Sequence, residues 1–102
     1  MVVYELRHTT YTWEDSDTNV YTMMFETKED AMTYLTEKKY DIVKEYCDQL
    51  GIPNDIDQLR TYTMQSVGYD EFDDLPDYFN IWIDEYGSDT LSIIQQQVLR
   101  FN

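Results

Sequence analysis

At 102 residues the chain has the length of one domain with a single modest core. Its 21 acidic residues against 7 basic ones leave a formal charge of −14 at neutral pH, which opposes direct binding to nucleic acid or to an anionic membrane surface. A composition of 42% hydrophobic and 16% aromatic residues excludes a disordered acidic tail, and a single cysteine excludes an intrachain disulfide.

Residues 2–13 are rich in Val, Tyr, Thr and Trp, with a weak period of two, and predict a strand. Met1 to Leu6 carries no basic segment or long apolar run, so it is not read as a signal peptide. No run in the chain approaches the roughly 18 apolar residues of a membrane span. With one cysteine, the expectation is a soluble protein of the cytoplasm of the host cell. Glu14 to Asn19 has a turn composition, and Val20 to Phe25 predicts a second strand that closes a hairpin.

Thr27 followed by Asp30 approximates a capping box and opens a long helix. Ala31, Met32, Leu35, Ile42, Val43, Tyr46, Cys47 and Leu50 recur along it at helical spacing, until Gly51 and Pro53 end it. The helix holds four of the seven basic residues, Lys28, Lys38, Lys39 and Lys44, and is expected to form the back of the molecule. Asn54 to Arg60 predicts a short helical turn capped by Asn54. Thr61 to Val67 favours a strand ended by Gly68, and Tyr69 to Asp77 reads as an acidic loop. Tyr78 to Tyr86 predicts a strand, Gly87-Ser88 a turn and Thr90 to Phe101 a last strand. For 89–101 a helix is the alternative, since Ile94, Val98 and Phe101 also lie three or four apart. The expected fold is α+β, in the order β-β-α-β-β-β: an antiparallel sheet of four to five strands with one long helix on one face.

Few constellations suggest chemistry. Asp15, Asp17, Asn19 and Glu26 match positions 1, 3, 5 and 12 of a calcium loop, but Val20 stands where the sharp turn needs Gly. A polar hairpin turn is the preferred reading. His8 has no second histidine with which to build a metal site, and Cys47 lies on the apolar stripe of the helix as a small hydrophobe. With glycines only at 51, 68 and 87 there is no phosphate-binding loop. The chain is not expected to be an enzyme, and no cofactor or metal is expected.

One interval stands apart. Between Arg60 and Arg100 lie Asp70, Glu71, Asp73, Asp74, Asp77, Asp84, Glu85 and Asp89, with no lysine or arginine, so this stretch carries −8 of the −14. Solubility surfaces mix both signs, and self-repulsion of this size opposes the compact state. Tyr69, Phe72, Tyr78, Trp82 and Tyr86 are interleaved with the acids, and such aromatics are frequent anchors of protein interfaces. A strand advances about 3.3 Å per residue and a DNA strand presents a phosphate about every 3.4 Å, so acids on a strand approach phosphate spacing.

In size, charge, aromatic content and absence of catalytic motifs, the chain resembles the small acidic inhibitors carried by phages and mobile elements. These include DNA-mimic antirestriction proteins, anti-CRISPR proteins and inhibitors of uracil-DNA glycosylase. The resemblance implies a stoichiometric inhibitor that occupies the basic nucleic-acid-binding cleft of a nuclease or a CRISPR or restriction effector. Asp70, Glu71, Asp73, Asp74 and Asp77 are expected to replace phosphates, with Asp84, Glu85 and Asp89 beside them. Tyr69, Phe72 and Tyr78 are the expected anchors, and Glu14, Asp15 and Asp17 join the surface if the fold brings them near. The alternatives are an immunity or antitoxin-type protein that neutralises a basic toxin without mimicry, and an acidic structural or regulatory domain.

Overall fold

A computed structural model describes residues 1–66 and 70–98. The elements in chain order are β1 (Val2–Thr12), β2 (Asp17–Phe25), α1 (Lys28–Leu50), α2 (Ile56–Gln65), β3 (Glu71–Leu75), β4 (Tyr78–Ile83) and β5 (Gly87–Gln97). The five strands form one antiparallel sheet in the order β2-β1-β5-β4-β3. The fold is α+β, with the long helix on one face of the sheet. Among the described residues no helix is long and apolar enough to cross a membrane.

Helix α1 forms as its sequence dictates. The Thr27 hydroxyl accepts from the Asp30 N–H at 3.2 Å, while Glu29 and Asp30 complement the positive end of the helix dipole. At the other end Gly51 takes a left-handed φ of 70°. The buried stripe is Ala31, Leu35, Ile42, Val43, Tyr46 and Cys47. It packs on the sheet row of Leu6, Phe79, Ile81, Ile83 and Leu91 to make the core. Each such large apolar side chain contributes about 1.5–3 kcal/mol on burial.

Besides the turn expected at Gly87-Ser88, which falls instead at 84–86 with Gly87-Ser88 opening β5, two expectations are corrected. Residues 61–65 are helical, because Asp55 rather than Asn54 caps α2, accepting from the N–H groups of Asp57 (2.7 Å) and Gln58 (3.3 Å). Ile56, Leu59 and Thr63 then fall on one side, with Leu59 and Thr63 buried, and this packing overrides the strand preference of the Thr-rich segment. The second correction concerns 69–77: its middle is strand β3 rather than loop, paired from Glu71↔Trp82 to Leu75↔Tyr78. The order is therefore β-β-α-α-β-β-β. From Gly87 to Gln97 the chain is a strand, so the helical alternative fails there. Val67, Gly68, Tyr69 and residues 99–102 lie outside the described residues.

Candidate functional site

The strand pleat sorts the acids. On β3, Phe72 and Asp74 turn to the helix side, with Phe79 and Ile81, whereas Glu71 and Asp73 turn to the face that no helix covers. Glu71 and Asp73 therefore stand about 6.6 Å apart on their face, twice the residue-by-residue interval. The eight acids do not share one face.

The helix side gives three acids side-chain partners, lysine or arginine for two of them. Asp74 accepts from Lys39 Nζ at 3.0 Å and from Arg60 Nη2 at 3.3 Å, and its side chain is only 20% exposed. Asp89 is held between His8 Nε2 (2.7 Å) and the Tyr46 hydroxyl (2.9 Å). Burial pushes the Tyr46 hydroxyl far above its ordinary pKa, and the charge and hydrogen bond of Asp89 add to that shift. Asp77, in the β3–β4 turn, has Lys28 Nζ at 3.9 Å. Helix α1 is thus no detached back: two of its lysines meet acids of the base-free interval. Phe72 is half-buried edge-on against Phe79, with ring centroids 5.6 Å apart, so it belongs to the core side. Tyr78 pairs with Ser92 on the uncovered face.

Asp70, Glu71, Asp73, Asp84 and Glu85 have no basic partner among the described residues. The Asp70 carboxylate accepts from the Asp84 N–H at 2.8 Å, so the start of β3 is tied to the β4–β5 turn. Glu71 and Asp73 both accept from the amide of Asn80, at 3.3 and 3.4 Å.

The fold answers the question left open for the first hairpin. The Trp13 N–H donates to the Tyr86 carbonyl at 3.3 Å, and Thr12 pairs with Gly87. The β1–β2 and β4–β5 turns are therefore neighbours at one end of the sheet. Glu14, Asp15 and Asp17 come to the same end as Asp70, Glu71, Asp84 and Glu85. Both turns hold a residue at positive φ, Ser16 at 54° and Glu85 at 71°. Asp17 and Glu26 flank the two ends of nine-residue β2, about 30 Å of extended chain, so the calcium-loop pattern cannot converge on one ion.

Aromatic rings border this end. Tyr11 and Trp82 stack with centroids 5.9 Å apart and planes 6° from parallel, and Trp13 meets Tyr11 edge-on at 6.4 Å. Trp13 and Tyr86 are exposed. The sequence reading missed Tyr11 and Trp13 as members of the group, because only the Thr12↔Gly87 register brings them to it. Comparison of the chain with protein-family models, with curated proteins and with solved structures found no match.

Proposed function

We propose that the protein is a stoichiometric inhibitor that sets the acidic end of its sheet into the basic nucleic-acid-binding cleft of a nuclease or a CRISPR or restriction effector. One observation carries the reading: two hairpin turns and the start of β3 meet through Trp13–Tyr86 and Asp70–Asp84. Seven carboxylates thereby gather around exposed aromatics. Steering by clustered charge and anchoring by Trp and Tyr is the division of labour of a fast, specific protein interface. The function is occupation of a site, with no chemistry performed on the partner.

The revised surface is Glu14, Asp15, Asp17, Asp70, Glu71, Asp84 and Glu85, with Asp73 one row inward and Trp13 and Tyr86 as anchors. Asp74, Asp77 and Asp89 support it by holding the sheet to the helices. The test is cleavage of duplex DNA by a panel of nucleases and RNA-guided effectors. The native chain should inhibit its target at one-to-one stoichiometry, less so as salt rises and less so with added competitor duplex. A triple variant, Asp15→Lys with Asp84→Lys and Glu85→Lys, should lose inhibition with an unchanged circular dichroism spectrum. Undiminished inhibition by that variant refutes the surface. A ternary complex with inhibitor and DNA bound together refutes mimicry in favour of the immunity-type reading.

A further inference from the structure

The sheet has two edges, and they are built differently. Edge strand β3 is five residues long and carries Glu71, Asp73 and Asp74, charges that discourage another strand from pairing. Edge strand β2 is nine residues long, and from Thr18 to Phe25 it holds no charge, no proline and no glycine. Its apolar residues are exposed on both faces: Val20 (56%) and Met24 (57%) on the uncovered face, Tyr21 (59%) and Met23 (42%) on the helix side. Alternate residues of an edge strand also turn their N–H and C=O groups outward, a template for an added strand. An unprotected edge of this length invites a partner.

We propose that the outer edge of β2 is a strand-addition site for an extended segment of another protein, apolar at its centre and basic at its ends. The apolar centre follows from Val20, Tyr21, Met23 and Met24. On the helix side, Tyr21 and Met23 also border a groove of about 450 Å³ closed by Tyr34 and Lys38 of α1. Side chains that an added strand turns to that side lie against this groove. The basic ends follow from what flanks the template. Glu14, Asp15 and Asp17 stand at one end of β2; Glu26, Glu29 and Asp30 stand at the other, with Lys28 among them 3.9 Å from Asp77.

The same flanks exclude a second copy of the chain. An antiparallel two-fold pairing of β2 with itself sets the Glu14–Asp17 end against the Glu26–Asp30 end twice over, and parallel pairing sets each end against its like. Each copy also brings a net charge of −14. Main-chain bonding supplies affinity in strand addition, and the flanking charge selects the strand. This site shares Glu14, Asp15 and Asp17 with the inhibitor surface but does not rest on that reading, since its template is the main chain of β2, which the inhibitor surface does not use.

The experiment is amide hydrogen exchange and chemical-shift mapping on the whole ¹⁵N-labelled chain. The probe is an acetylated decapeptide of alternating Thr and Val with two lysines at each end. At millimolar peptide, exchange should slow at least tenfold at alternate amides within 18–25. The same peptide N-methylated at alternate backbone amides should have no effect, and a glutamate-ended version should have less. A double variant, Val20→Lys with Met24→Lys, changes only exposed side chains and should abolish the protection. Equal effects of the methylated peptide, or perturbation confined to residues 70–86, overturn the proposal. So does protection of β2 without peptide in a chain that sediments as a dimer.

Discussion

Lys39 in the middle of α1 reaches Asp74 on β3 across 3.0 Å, and the same carboxylate also accepts from Arg60 of α2. One acid thus joins three elements. Lys39 and Asp74 are both mostly buried, so removing one charge strands the other in a poorly solvated place. Asp74→Asn should destabilise the fold by about 2 kcal/mol, and Lys39→Met by a similar amount. The double variant should cost less than the sum, by about 1 kcal/mol in a denaturant-unfolding cycle. Strict additivity would show that the pair contributes nothing. For the same reason, charge reversal at Asp74 is a poor probe of partner binding.

Tyr46 sets an alkaline limit. Its folded pKa lies above the ordinary 10.0 of an unfolded tyrosine, so its contribution is complete below pH 10 and is lost as pH rises beyond it. The unfolded chain gives up that proton while the folded chain holds it, which favours unfolding by about 1.4 kcal/mol per pH unit. Urea unfolding from pH 9 to 11.5 should therefore show a steeper alkaline loss in the native chain than in Tyr46→Phe. At neutral pH the variant should be weaker by about 1 kcal/mol, since Asp89 Oδ2 loses its donor. Parallel curves above pH 10 would contradict the assignment.

The β4–β5 turn carries two opposite glycine predictions. Gly87 has a φ of 144°, and a β-carbon there would collide with the Tyr11 carbonyl oxygen. Gly87→Ala should cost about 3 kcal/mol or more and loosen the register that brings the two acidic turns together. Glu85 holds a left-handed φ of 71° where glycine is unstrained. Glu85→Gly should raise stability by about 1 kcal/mol while weakening target inhibition. Thermal unfolding and the cleavage assay, run together on both variants, check the pair of signs.

Salt should stabilise this protein. Its uncompensated carboxylates repel one another, and raising sodium chloride from about 0.01 to 1 M shortens the screening length from roughly 30 to 3 Å. The midpoint of thermal unfolding should rise by about 5 °C, the equivalent of roughly 1 kcal/mol in a domain of this size. The Asp15, Asp84 and Glu85 charge-reversal variant should show a smaller rise. A midpoint indifferent to salt would mean that the repulsion is not felt in the folded state.

Part of this protein was legible in its residues alone. The charge, the α+β class, the N-terminal hairpin and helix α1 all rest on short-range pattern: Thr27 and Gly51 cap the helix, and its apolar stripe repeats within a few residues. Segment 61–65 was misread because its local β preference competes with the burial of Leu59 and Thr63, a contact no local pattern displays. The acids show the same division more sharply. The sequence alone determined that eight lie in a base-free interval, and therefore how much charge the fold must tolerate. Only the tertiary structure decided which find partners, because the pleat turns Asp74 toward the cations of Lys39 and Arg60, and the β5 register lays Asp89 against His8 and Tyr46. Only it joined Trp13 to Tyr86, 73 residues apart in the chain, and so made one acidic end from two separate turns. Charge is a sum over residues, whereas a surface depends on which distant strands lie side by side.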